Sequence, residues 1–244
     1  MSTIYNQLLK AKANPETSGE KLLAILLDPD KIDLDNIQQL IEKINQSPAT
    51  HIFIGGSLVQ NNIIDELVLA IKEICKLPIV LFPENPSQIS NKADAILFLS
   101  LISGRNSDYL IEHQVNAVPI LNKANLEIIP TGYILIESGV ETAVERVSKT
   151  KPLDRNNPDY ILQTAQAGEM MGMKLIYLEA GSGAKFSVSK EIITLVSKNI
   201  NIPLIVGGGI TDFNDIEKTH NAGADLVVIG TAFENDINFF NSEI

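Results

Sequence analysis

Apolar positions along the chain fall in short, nearly unbroken runs, separated by longer stretches in which they recur at helical spacing. The runs are "LLAILLD" (22–28), "HIFIGGS" (51–57), "PIVLF" (78–82), "AILFLS" (95–100), "AVPIL" (117–121), "KLIYLE" (174–179), "PLIVGG" (203–208) and "LVVIG" (226–230), with an extra run "GYILIES" (132–138). Apolar residues at successive positions mark strands buried on both faces. Their alternation with amphipathic stretches marks a parallel sheet covered by helices. Helices are expected over 33–45, 60–75, 140–149, 158–171, 188–199 and 212–222, and a short amphipathic one at the N-terminus. Asp212 reads as an N-cap, and Pro158 with Asp159 as a helix start.

Eight such strands in 244 residues fit one domain, 1–244, folded as a (β/α)8 TIM barrel. A doubly wound open sheet is the main rival. It carries a glycine fingerprint after its first strand, whereas here the glycines cluster after many strands, at 55–56, 181–183, 207–209 and 230. A ring of glycine loops at one end suits a barrel mouth. The barrel is expected to be modified. Between "PIVLF" and "AILFLS" lies only "PENPSQISNKAD", with two prolines. A helical crossover needs at least about 10–12 residues, so the third helix is expected to be missing or replaced by an irregular segment. That would leave an apolar flank partly uncovered, a natural groove for a greasy ligand.

Residues two apart on a strand share a face. Leu175, Tyr177 and Glu179 therefore point inward, while Ile176 and Leu178 meet the helices. This places Glu179 at the C-terminal lip, where such barrels keep their catalytic residues. A partly desolvated glutamate there is a candidate general base, or else a carboxylate ion-paired at a strand end. "VGGGIT" and "IGTAFE" follow the seventh and eighth strands. The backbone N–H groups of Gly208, Gly209, Gly230 and Thr231 form a candidate phosphate nest with no Cβ in the way. "LLDPDK" puts Asp28 at the first lip and "IGGS" puts Ser57 at the second. Mg²⁺ takes one or two protein ligands plus substrate phosphates, so this pair is a candidate metal site; Asp before Pro also serves simply to set a turn. Two anionic substrates with a base between them is the arrangement that results.

The net charge of −11 argues against a nucleic-acid partner, which demands clustered Lys and Arg. The single cysteine, Cys75, excludes an internal disulfide framework, and its spacing to Leu67, Ile71 and Ile74 makes it a small buried hydrophobe. No run is long enough to span a membrane and the N-terminus lacks a signal core, so a cytoplasmic protein is expected. Lys174 opens its strand, at the wrong end for a Schiff-base aldolase, and His51, His113 and His220 fall outside the strand tips. A sugar-phosphate isomerase or a flavin-binding barrel using the same two loops stays open as an alternative.

Taken together, "LLDPDK", "IFIGGS", "LFPENPSQIS", "YLEAGSGA", "PLIVGGGI" and "ADLVVIGTAFE", in that order, resemble the geranylgeranylglyceryl phosphate synthase family, which includes heptaprenylglyceryl phosphate relatives. The resemblance implies a prenyltransferase that joins sn-glycerol 1-phosphate to a prenyl diphosphate with Mg²⁺ present, making the ether bond of archaeal-type lipids. Geranylgeranyl diphosphate is the expected donor. By the same resemblance Asp28 and Ser57 bind the metal, and the stretch Tyr177, Leu178, Glu179, Ala180, Gly181, Ser182 and Gly183 holds the glycerol. Gly208, Gly209, Gly230 and Thr231 take its phosphate, Glu179 and Tyr177 are catalytic, and the prenyl tail lies along the flank without a third helix. Phe82, Phe98 and Tyr133 are candidates to block the groove's end. Many members carry a Lys two positions before the metal Asp, where this chain has Leu26; Lys31, Arg105, Lys123 and Lys185 are the cations available instead. That pattern resembles the second of the family's groups, whose members are homo-oligomers, dimers or hexamers. Transient membrane contact is expected for a lipid product.

Overall fold

The computed structural model describes residues 3–13, 21–56 and 61–240. Eight parallel strands close into a barrel in sequence order: β1 (Leu22–Leu27), β2 (His51–Ile54), β3 (Ile79–Leu81), β4 (Ala95–Leu101), β5 (Glu127–Leu135), β6 (Leu175–Glu179), β7 (Leu204–Gly207) and β8 (Leu226–Ile229). The ring is closed by β1 on β8, with Leu22 opposite Leu226 and Ile25 opposite Ile229. Outside it lie α2 (Ile37–Gln46), α3 (Asn61–Ile74), α4 (His113–Leu121), α5 (Ala143–Ser148), α6 (Pro158–Met170), α7 (Lys190–Asn199), α8 (Phe213–Ala222) and the short α9 (Thr231–Asn235).

The two-residue period of each strand sorts its side chains into two apolar clusters. Leu22, Ala24, Phe53, Val80, Leu97, Ile129, Leu175, Tyr177, Ile205 and Val228 fill the barrel interior. Ile176, Leu178, Val206 and Val227 pack outward with the helices. Leu175 and Tyr177 therefore face inward and Ile176 and Leu178 outward, as strand six predicts. Cys75 is buried in the outer cluster.

The third crossover carries no α-helix among the described residues, only a 3₁₀ turn at Pro86–Gln88. One expectation is overturned. The run at 117–121 is not a strand but the end of α4, entered through a π-helical turn at Asp108–Glu112. The fifth strand is instead the one containing the supposedly extra run, and it starts at Glu127, earlier than that run suggests. Pro130 lies inside it without cost to the ladder. Its carbonyl accepts from Lys174 N at 2.8 Å, so its missing N–H faces the same side, before β6 begins.

At the opposite end from the glycine loops, α1 (Ile4–Ala13) plugs the barrel with Ile4 and Leu8. The Glu127 carboxylate caps it, accepting from Ile4 N at 2.7 Å and Tyr5 N at 3.1 Å. Two otherwise unpaired first-turn amides are thereby satisfied. Glu127→Ala is expected to destabilise the fold by about 1 kcal/mol, read as a drop of a few degrees in Tm with activity retained. Among the described residues no helix is long and apolar enough to cross a membrane.

Candidate active site

Glu179 ends β6 facing the barrel mouth, only 6% exposed. Its Oε1 accepts from the Gly181 amide at 2.6 Å, so the carboxyl is held by the turn that follows it. Burial pushes it up to about 7, with the Gly181 amide pulling the other way. The Tyr177 hydroxyl stands close enough to act on Glu179 electrostatically, yet it completes no hydrogen bond of ordinary geometry; desolvation is the larger effect. The same burial, with the nearby Glu179 charge, holds Tyr177 and Tyr133 well above the usual phenol range. Tyr177 rests in an aromatic floor, its ring centroid 5.2 Å from Phe82 and 5.4 Å from Tyr133. A carboxyl that exchanges its proton near neutral pH, above a dry floor, has the properties of a general base.

The turn after β7 wraps around this carboxyl. Gly208 has φ +83°, and a Cβ there would collide with Glu179 Oε1 and stand 2.5 Å from the Gly181 amide nitrogen. Gly208, Gly209, Gly230 and Thr231 all line the same cavity as Glu179. Ser182 Oγ lies 3.0 Å from Thr231 Oγ1, which joins the loop after β6 to the start of α9 across the mouth. Gly181, Ser182 and Gly183 line the cavity as well. Leu178 and Ala180, expected in the same stretch, pack instead in the outer cluster and do not line the cavity.

On the adjoining lip, after β1, Asp28 caps a 3₁₀ turn beginning at Pro29, accepting from Asp30 N at 3.2 Å. Its other oxygen lies 3.4 Å from Lys31 Nζ, which in turn bonds Glu234 Oε2 at 2.8 Å. Glu234 Oε1 accepts from the Asp28 amide at 3.3 Å. Gly56 runs so close behind Asp28 that a Cβ there would overlap its carboxylate. Ser57 lies outside the described residues. No group of three or more His, Cys, Asp or Glu able to hold a metal occurs among the described residues. One carboxylate turned into a cavity still suits Mg²⁺, which keeps its waters and is completed by substrate phosphates. Of the expected pair, Asp28 is the donor that the described residues supply.

Glu179, the glycine loops after β6, β7 and β8, Asp28, Lys31 and Glu234 share one cavity of about 800 Å³. From the polar mouth it runs past Glu84 and Tyr109 into an apolar groove lined by Ile89, Ile96, Phe98 and Ala117. Ile96 and Phe98 pack with the outer cluster on β4, so the groove lies on the flank that the third helix would cover. Phe82 and Tyr133 form the aromatic floor instead, which leaves Phe98 as the expected blocking residue that faces the groove. Of the four alternative cations only Lys31 lines the cavity; Arg105, Lys123 and Lys185 are exposed elsewhere. Among the histidines, His113 lines it and packs edge-on against Tyr109 at 4.8 Å. Sequence reasoning missed Glu84, Tyr109 and Glu234. Glu84 stands in the quoted "LFPENPSQIS", directly beyond the strand-three tip, and that position was the available signal.

The chain matches the PcrB family over residues 17–244. A geranylgeranylglyceryl phosphate synthase of Flavobacterium johnsoniae is 66% identical over 242 residues, which cover 99% of this chain and 98% of that protein. One of Zunongwangia profunda is 51% identical over 235 residues, covering 96% of this chain and 98% of its own length. The crystal structure of (S)-3-O-geranylgeranylglyceryl phosphate synthase from Thermoplasma acidophilum, in complex with substrate sn-glycerol-1-phosphate, superposes with a TM-score of 0.91. It is 32% identical and covers 99% of this chain and 95% of that one.

Proposed function

The chain belongs to the PcrB family, and from that premise we propose that it joins sn-glycerol 1-phosphate to a prenyl diphosphate, geranylgeranyl diphosphate foremost, through an ether bond. The observation that carries the reading is the convergence, in one cavity, of Glu179, the bare amides of the last two loops and an apolar groove. The similarity to relatives that bear this activity in their names supports it.

In this reading the phosphate of the glycerol substrate sits against Gly208, Gly209, Gly230 and Thr231, and Tyr177 to Gly183 frame its three carbons. Glu179 accepts the proton of the free terminal hydroxyl as that oxygen bonds to C1 of the prenyl chain. The bond from C1 to the diphosphate oxygen breaks, and its electron pair leaves with diphosphate. Asp28 and Ser57 are the residues that would hold Mg²⁺, which when bound neutralises charge on the leaving diphosphate. Lys31 stands beside Asp28 as the cation nearest that group, taking the place of the lysine absent at Leu26. The groove beside the shortened crossover receives the prenyl tail. The rest of the catalysis is positioning and exclusion of water. Lys174 supports no Schiff-base rival: it lies at the far end of β6, its ammonium 5.2 Å above the Tyr5 ring of α1. Ile111, Val115 and Val118, exposed at helical spacing, support self-association into a homo-oligomer.

The test is incubation with radiolabelled sn-glycerol 1-phosphate and prenyl diphosphates of several lengths, followed by extraction into organic solvent. Label is expected to move into the organic phase, to stop doing so with EDTA, and to return on adding Mg²⁺. Label that stays aqueous with every donor would refute the assignment.

A further inference from the structure

Glu84 is a half-buried carboxyl in the same cavity that the reaction as described leaves without a task. It follows Phe82 by two residues, so it rises from the aromatic floor across from Glu179. Its backbone N–H donates to Gln88 Oε1 at 2.7 Å, and Gln88 Nε2 donates to Gly56 O at 2.7 Å. Gln88 is itself 1% exposed, so this tie fixes Glu84 against the loop behind Asp28. On the other side the Tyr109 hydroxyl reaches Glu84 Oε1 at 3.5 Å while donating to Val147 O at 3.2 Å. Glu84 Oε2 is buried with no hydrogen-bond partner, and no ion pair involves Glu84 among the described residues. A buried oxygen left unpaired costs free energy unless something pairs with it in use.

Position says what that something is. Glu84 lines the cavity between two anchors: through Gln88 it is tied to Gly56 beside Asp28, and through Tyr109 to the segment leading into α4, whose Ala117 lines the apolar groove. This rests on the prenyl-transfer reading above. With the diphosphate at Asp28 and the tail in the groove, the carbons next to the leaving group pass between those anchors. We propose that Glu84 is a further catalytic residue, whose unpartnered Oε2 faces the allylic carbons of the prenyl diphosphate and stabilises the positive charge they develop. It forms no covalent bond: the electron pair still leaves with diphosphate, and the proton still goes to Glu179. A carboxylate in a poorly solvated site acts far more strongly on developing charge than one in water. Burial pushes Glu84 up to about 7, and a cation beside it draws the proton off.

Two non-reacting probes test this by titration calorimetry in the presence of Mg²⁺. One is a prenyl diphosphate analogue with a protonated tertiary amine in place of an allylic carbon; the other is its neutral carbon isostere. The native protein is expected to prefer the ammonium form by roughly tenfold or more, the lower end for a close desolvated charge pair. Glu84→Gln is expected to bind the isostere as before and to lose the preference, while Glu84→Asp keeps part of it. In turnover, Glu84→Gln lowers kcat with the KM for sn-glycerol 1-phosphate unchanged. Equal affinities in the native protein, or a preference that survives in Glu84→Gln, overturn the proposal. If the native protein binds neither probe, the prenyl-transfer reading itself fails.

Discussion

Replacing Glu179 with glutamine is expected to lower kcat by about 10²–10⁴-fold, the usual contribution of a positioned general base, with the barrel still folded. Glutamine keeps the shape and one carbonyl oxygen for the Gly181 amide but accepts no proton. The pH dependence separates this from a packing effect. With the carboxyl at about 7, the native rate should rise with pH through the neutral range and level off above it. The share of that inflection owed to Glu179 should vanish in Glu179→Gln, leaving only that of Glu84, which burial also pushes up to about 7. Stability should move the other way. The folded carboxyl binds its proton more tightly than the unfolded one, whose ordinary value is 4.5. Below that value the group is neutral in both states and costs nothing. As pH rises toward 7 the unfolded chain ionises first, and the folded state loses up to about 3 kcal/mol relative to it. Glu179→Gln should therefore melt several degrees higher than the native protein at pH 8, and close to it at pH 4. A carboxyl kept this dry destabilises the resting fold; equal melting at pH 8 would mean that it is not desolvated as described.

What the sequence discloses depends on whether the cause is local. The inward turn of Tyr177 and Glu179 follows from the two-residue period, and the absent third helix from the two prolines of "PENPSQISNKAD". α4 is harder. Ala117 and Leu121 are buried beneath it while Val115, Val118 and Ile120 are exposed on it, so its last residues are apolar all round and imitate a strand. Pro119 within the helix strengthens the disguise, and Pro130 in β5 supplies the converse, since proline argues against a central strand. Only the register with β6 reveals why it is tolerated. The mouth divides in the same way. That Gly208, Gly209, Gly230 and Thr231 line the mouth is legible because glycine loops after barrel strands are a local signature. Lys31 and Glu234 are not, because they meet across 203 residues of chain. Nothing in "DPDK" distinguishes a solvated lysine from one paired with the Asp28 carboxylate. Glu84 is visible as a residue, but its significance is that one oxygen has no partner, and only the folded surroundings define that.

Gly208→Ala is expected to damage fold and chemistry together, and its comparison with Gly230→Ala tells which glycine the reaction uses for what. Gly208 has φ +83°, where an L side chain is strained, and the new methyl would overlap Glu179 Oε1 and press on the Gly181 amide nitrogen. The backbone conformation alone costs about 1–3 kcal/mol, so Tm should fall by several degrees. The clash has no flexible side-chain end to absorb it on the amide side. Relief must move either the carboxyl or the turn, and displacement of a catalytic group by about 1 Å costs on the order of 10²-fold in rate. At Gly230 the nearest atoms to a new methyl are those of Leu26, at 3.6 Å and beyond, which is ordinary contact. Gly230→Ala should fold and melt almost as the native protein does. Its methyl nevertheless stands at the loop assigned to the phosphate, so its effect should appear as a raised KM for sn-glycerol 1-phosphate. A normal KM in Gly230→Ala, beside a crippled Gly208→Ala, would confine the phosphate to the loop after β7 and remove the loop after β8 from the site.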